Sequence, residues 1–444
     1  MRFVSVLVMA LLLAGIGSAQ NYIPESTMEP GADLSMFEGD PGNIEMWSGN
    51  INNATMGGSS PWVTVGSYDW CDYKTDGTDD QTEINLALSN NENVVIASDV
   101  NISGPINITG SSQWLSSFGG PRGNTNSRIY INTDGITAIN ITGGSNRVSG
   151  VSLVGSGIAT SGVAICINGS CNVISDISIN KYHDGIYIGT AGGISELSDV
   201  WITSSNGTML SILGSETTVR HFRADGYQDE NNTQCEYGVY IDGVGNALIT
   251  ESEFIRCGTN FYIRDSGCVK VANTYFDQGI APNYIVATSG NIMRHATFSN
   301  CWISGLTVTT PNNVPLVQIS SSSGGTLYDV NFVDTTMRDS PGTVFLLYND
   351  GGDVSGLSFS NIRFSDLSTL DNCALFSTSG IINAVSITGC SIEQHSAAAG
   401  WITPIWFGAN QTDWIIDSCD FSDATIPIQG YTNNITMGDN ILPS

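Results

Sequence analysis

The feature that most constrains this chain is a segment that keeps returning: a short alternating strand, a turn, a second apolar run, a Gly/Asn/Ser turn, and the same again. It is readable in residues 174–188 (ISDISINKYHDGIYI), 197–213 (LSDVWITSSNGTMLSIL), 219–241, 249–263 (ITESEFIRCGTNFYI), 327–347 and 354–376, with a period of roughly 20 to 30 residues. A unit this short cannot bury both faces of its strands alone. It must stack on its neighbours and build one continuous core along an axis, which describes a parallel β-solenoid. The inward positions alternate regularly: Ile177 and Ile179, Val200 and Ile202, Phe222 and Ala224, Ser252 and Phe254, Val330 and Phe332, Leu357 and Phe359, Val385 and Ile387. Period two with one apolar face leaves the other face to solvent or a ligand at every rung. An antiparallel sandwich or barrel also shows short strands and turns, but hairpin signals such as Asn-Gly between paired runs are scarce here. Because parallel crossovers are right-handed, the spacing predicts an all-β, single-stranded right-handed parallel β-helix from about Asn93 onward.

Residues 1–19 (MRFVSVLVMALLLAGIGSA) carry one early Arg, an apolar stretch and a small-residue ending. This is the pattern of a secretory signal peptide cleaved before Gln20; an uncleaved N-terminal anchor is the competing reading, though the stretch is short for a span. Residues 20–62, with Pro24, Pro30 and Pro41 and little periodicity, read as an irregular appendage, and residues 63–444 as the solenoid. The chain has ten cysteines and no Cys-x-x-Cys pair. In an exported protein that suggests disulfides rather than zinc, with Cys166 and Cys171 flanking one turn and Cys235, Cys257 and Cys268 on neighbouring rungs. Free thiols buried as small hydrophobes are the alternative. Nine N-x-S/T sequons, at Asn53, Asn101, Asn107, Asn140, Asn168, Asn206, Asn231, Asn410 and Asn434, permit glycosylation.

The net charge of −28, from 42 Asp and Glu against 14 Lys and Arg, argues against nucleic acid as a partner. A neutral glycan, or an acidic one bridged by Ca²⁺, is easier to accommodate.

Residues 72–82 (DYKTDGTDDQT) resemble the D-Y-G-A-x-G-D-G-x-x-D-D-T opening of pectate-lyase-like right-handed β-helix proteins, a group that includes polygalacturonases, rhamnogalacturonase-like domains and tailspikes. The match departs at Lys74 and Thr75. The resemblance implies the fold and a partner among polysaccharides or cell-surface glycans at an extracellular or surface location. It transfers little chemistry, because G-H-G, R-I-K, R-x-P-x-x-R and a mid-solenoid Asp-Asp are missing; His183-Asp184-Gly185 is the nearest approach and reads as a turn. Physically the segment reads as a cap: Asp80 and Glu83 fit a capping box, and Ile84, Ala87 and Leu88 make a helical apolar stripe that seals the solenoid's end. Asp76, Asp79 and Asp80 as a Ca²⁺ site is the weaker alternative.

Stacked coils put equivalent outward residues in columns about 4.8 Å apart. Aligning the strands gives Asp176, Asp199, His221, Glu251, Asn273; then Ser178, Trp201, Arg223, Glu253, Tyr275; then Asn180, Thr203, Asp225, Ile255, Asp277. This patch concentrates what a glycan site needs. Trp201 and Tyr275 offer platforms for sugar faces, with Asp199 and Asp225 as polar contacts, and the 225–237 insertion is expected to wall the cleft. Glu251 with Glu253, or Glu253 with Asp277, would suit inverting hydrolysis, while Arg223 or His221 would serve a polysaccharide lyase as base. A charge-balanced ladder without catalysis is the alternative, and a non-catalytic adhesin, envelope or tailspike-like glycan-binding protein is the corresponding function. The scattered His183, His295 and His395 make no metal triad.

Overall fold

The computed structural model describes residues 62–442, apart from residues 119–126, 157–159, 204, 227–234, 306–313, 341, 366, 368–372, 394–401, 410, 427 and 431–433. The chain divides into two compact units, residues 1–60 and 61–444, and every described residue belongs to the second. The signal peptide, nearly all of the 20–62 appendage and most of the 225–237 insertion therefore lie outside the described residues. No helix among the described residues is long and apolar enough to cross a membrane.

The strands form a 25-stranded and a 13-stranded sheet, here sheets A and B, and pair in parallel with the coil before and the coil after. One coil illustrates the path. Thr217–Asp225 lies in sheet A, Tyr237–Asp242 in sheet B, and the chain re-enters sheet A at Ala247–Thr250. Eleven successive coils share a left-handed residue at one position of sheet A: Gly150, Asp176, Asp199, His221, Glu251, Asn273, Asn300, Asp334, Asn361, Gly389 and Ser418, with φ from 48° to 67°. Flanking pairs such as Ser198↔Arg220 and Val200↔Phe222 keep these residues in one column. A second left-handed column, including Ser145, Cys171, Ile194, Glu216, Cys268, His295 and Asp329, lies five residues before the first, and the coil through Glu251 is the exception among these eleven, since Asn246 is not left-handed.

All the expected inward residues are buried, from Ile177 and Ile179 to Val385 and Ile387. Fixed register stacks like on like. Phe298, Phe332 and Phe359 lie in register with ring centroids 4.7 and 5.8 Å apart, and Phe254 lies 5.4 Å from Phe276. Such offset stacks add to the burial of each ring. The corners bring backbone amides inside, and polar side chains answer them. The Gln113 amide donates to Asn146 Oδ1 and the Asn146 amide to Asn172 Oδ1, both at 2.8 Å. All ten cysteines are free thiols, and Cys235, Cys257, Cys301, Cys373, Cys390 and Cys419 are buried in the core. Burial pushes the Cys373 thiol up to about 12.

The cap forms as helix α1 (Gln81–Asn90), burying Ile84, Ala87 and Leu88. The capping box does not form. Asp80 makes no side-chain cap bond; its carboxylate is fully buried and accepts from the Gly77 amide at 2.8 Å and the Asn101 amide at 2.7 Å. It closes the turn before the helix through Gly77 and ties the cap to the next coil through Asn101, amides that need an acceptor more than the helix end does. Asp76 accepts from Thr78, and Asp79 from Ser103. No group of three or more His, Cys, Asp or Glu able to hold a metal occurs among the described residues, so the cap aspartates act as turn and inter-coil acceptors.

Ile84→Asp should destabilise the protein by about 3 kcal/mol or more, since it places an unpaired carboxylate on the core. Asn172→Leu should cost about 1–3 kcal/mol by stranding the Asn146 amide. Urea unfolding of both variants checks this, and an unchanged midpoint for either would refute its assignment.

Candidate functional site

The outward columns assemble as the spacing predicts. Ser178, Trp201, Arg223, Glu253 and Tyr275 are direct register partners on successive coils, and so are Asn180, Thr203, Asp225, Ile255 and Asp277. Parallel stacking at about 4.8 Å per coil gathers residues from a long stretch of sequence onto one face.

Asp199, His221 and Glu251 occupy the left-handed corner rather than a flat strand. His221 Nε2 lies 2.8 Å from Glu251 Oε2 and its Nδ1 3.5 Å from Asp199 Oδ1, so the imidazole bridges two carboxylates on neighbouring coils. The corner also separates Glu251 from Glu253: Ala247–Thr250 ends before it and Glu253–Ile255 begins after it, with Ser252 buried between them. The expectation that both glutamates share one strand is corrected by this bend. Glu251 sits at the bend itself and Glu253 opens the strand after it.

On the strand beyond the corner, Arg223 Nη1 sits 3.4 Å from Glu253 Oε2 and its guanidinium 5.3 Å from the Trp201 ring centroid. Trp201 and Tyr275 are 37% and 53% exposed, as platforms for a ligand must be. Asp225 is less available: Arg256 Nε donates to its Oδ1 at 2.9 Å and Nη2 to its Oδ2 at 2.5 Å, and its side chain is 13% exposed. Asp277 accepts from the Ser304 hydroxyl.

Two residues extend the patch beyond what the sequence reading found. Trp302 pairs in register with Tyr275, its ring 6.2 Å away and stacked, and Arg338 lies 5.6 Å over Trp302. The column was hard to follow here because strand Ile292–Ser299 runs long before its corner at Asn300, so the continuation of Tyr275 falls at 302. Other candidates are turns. Asp184 accepts from the Thr208 amide at 2.8 Å beside His183. The one N-T-D triplet, Asn132 to Asp134, ends in a carboxylate that accepts from the Thr160 amide at 3.0 Å and the Thr160 hydroxyl, and these bonds hold Asp134 below the usual carboxylate range.

No protein-family model and no curated protein matches the sequence. Among solved structures, the Dettilon tailspike protein is similar with a TM-score of 0.50 and 12% identity, over 84% of this chain and 68% of that one. The catalytic unit of the thermostable GH87 α-1,3-glucanase from Streptomyces thermodiastaticus strain HF3-3 gives 0.47 and 13%, over 85% and 68%. The tailspike of the E. coli bacteriophage HK620, in complex with a pentasaccharide, gives 0.48 and 8%, over 81% and 74%. At these identities the likeness concerns the fold, which is the right-handed parallel β-helix implied by residues 72–82.

A bulky side chain in the left-handed region stores strain that Asn or Gly avoids. Glu251→Asn should therefore stabilise the protein by about 1 kcal/mol while removing the contact from His221 Nε2 to Glu251, half of the bridge. Thermal unfolding checks it; a clear loss of stability would mean that the bridge, rather than the backbone, dominates.

Proposed function

We propose that this protein is a secreted or cell-surface β-helix protein that binds polysaccharide on the outward face around Trp201, Arg223, Glu253, Tyr275 and Trp302. The observation that carries this reading is the column itself: aromatic rings, a guanidinium and a carboxylate follow one another on five successive coils, half exposed and held in place by backbone register. Sugars present an apolar face and a rim of hydroxyls. Rings take the first, and fixed charged groups take the second. The signal-peptide pattern of residues 1–19 supports export.

Turnover is the second reading, and the Asp199–His221–Glu251 line favours it. Glu251 occupies a strained corner position where most other coils place Asn, Asp or Gly, and such strain is commonly retained where chemistry needs it. In glycoside hydrolysis one carboxyl protonates the leaving oxygen and another activates water; in a lyase a base removes a proton beside a uronate carboxylate. Glu251, Glu253 and Asp277 are the carboxyls available for the first, and His221 or Arg223 the base for the second. A non-catalytic adhesin or envelope component would use the same face without product release.

The test is a polysaccharide panel in which binding and product release are measured together on wild type, Trp201→Ala and Glu253→Gln. Trp201→Ala should weaken binding about tenfold, the effect of losing one stacking ring, and Glu253→Gln should abolish any turnover. If both variants fold normally and keep full binding and activity, the column is only a charge-balanced ladder.

A further inference from the structure

A second arrangement lies on sheet B, away from the column described above. Its outward positions carry tyrosines in register: Tyr240 pairs with Tyr262 and Tyr262 with Tyr284. The ring centroids of each pair are 5.4 Å apart. Tyr237 joins them from the strand entry, 5.5 Å from Tyr240 and edge-on at 5.6 Å from Tyr262. Beside the stack, Arg264 Nε donates to Asp242 Oδ1 at 2.9 Å, and the guanidinium lies 5.8 Å from the Tyr240 ring.

Tyr237 also lines an open depression of about 430 Å³ beside the stack, called the sheet B cavity below. The rest of the wall includes Asn206, Glu236, Thr259, Ile280 and Ala281. Its floor is rigid because the turns beneath it are stitched coil to coil: the Glu236 amide donates to the Gly207 carbonyl at 2.9 Å, Gly258 to Cys235 at 2.7 Å and Ala281 to Gly258 at 2.7 Å. Ile280 is 43% exposed and gives the cavity an apolar side.

We propose that this cavity and the adjoining tyrosines form a second binding site, separate from the Trp201 face, that takes a single neutral sugar ring. Ile280, Ala281 and the Tyr237 ring match the apolar side of a pyranose. Glu236, Asn206 and the Tyr237 hydroxyl match its hydroxyl rim. Ligand charge follows from the same residues. Among the described residues Glu236 is the one carboxylate in the wall, and Arg264, beside the tyrosine stack, is engaged by Asp242, so an anionic sugar meets repulsion there. Three of the tyrosine hydroxyls remain donors well above neutral pH: burial, and then Asp242, push Tyr240 up to about 12, and burial raises Tyr237 and Tyr284. The site does not rest on polysaccharide binding at the Trp201 face.

Saturation-transfer NMR and calorimetry with methyl glucoside, methyl galactoside and methyl mannoside test the proposal, with glucuronate as the anionic control. At least one neutral glycoside should bind the wild-type protein and Trp201→Ala equally. Tyr262→Ala and Glu236→Gln should weaken it about tenfold, and glucuronate should bind more weakly than the neutral probe. Tyr237→Phe keeps the packing and removes one hydroxyl, so it separates recognition from folding and should still lower affinity. The proposal is overturned if no neutral glycoside binds, if glucuronate binds better, or if binding is lost in Trp201→Ala and untouched in Tyr262→Ala, Glu236→Gln and Tyr237→Phe. The last outcome would leave the Trp201 face as the sugar site and the sheet B cavity empty of function.

Discussion

Everything in this molecule depends on hydrogen bonds that leave each coil and end on the next. No strand satisfies its backbone within its own repeat, so each coil must adopt the register of its neighbour, and the register propagates from Trp62↔Asn93 at one end to Trp414↔Ile435 at the other. The left-handed corners follow from the same constraint. If one coil bent a residue earlier than the next, the alternation of inward and outward side chains would invert beyond the bend. An unbroken column from Gly150 to Ser418 shows the bend kept in place across residues as different as Gly, Asp, His, Glu, Asn and Ser. Register overrides the conformational preference of the individual residue.

Stacking has a chemical consequence. Identical positions recur about 4.8 Å apart, so a favourable contact is repeated and an unfavourable one is repeated too. Inside, rings and amides form stacks and chains. Outside, an acidic chain risks carboxylate on carboxylate, and several arginines stand where they break this up: Arg223 beside Glu253, Arg256 on Asp225, Arg264 on Asp242, Arg363 beside Glu393. Charge balance and the proposed ligand recognition therefore share residues. Asp225 shows the difference in practice, because its tight, partly buried pairing with Arg256 leaves little for a ligand, whereas Trp201 and Tyr275 remain open to solvent.

The three outward columns were legible from spacing alone, because period-two alternation fixes the face and the repeat fixes the rung. Buried positions were legible for the same reason. The corner at Glu251 was not, since a one-residue left-handed bend leaves no signature when His or Glu occupies it instead of Gly. The capping box failed on a related ground: Asp80 and Glu83 have the right spacing, but a buried amide on the next coil competes for the same carboxylate, and sequence does not reveal distant donors. Trp302 escaped because one strand runs long before its corner. The sheet B tyrosines, at 237, 240, 262 and 284, look like ordinary strand residues until the register stacks them.

The sequence by itself determined the class of fold, the inward and outward faces and the grouping of aromatic, basic and acidic residues on neighbouring rungs, because all of these follow from local alternation repeated at a near-constant interval. Tertiary structure alone decided where the strands bend, which carboxylates are tied to arginines or amides and which stay open, and how Tyr237 comes to lie between a cavity and a stack of rings. Those outcomes depend on competition between groups a full coil apart, and a hydrogen bond is settled by the distance and direction of its partner, neither of which is written in the order of residues.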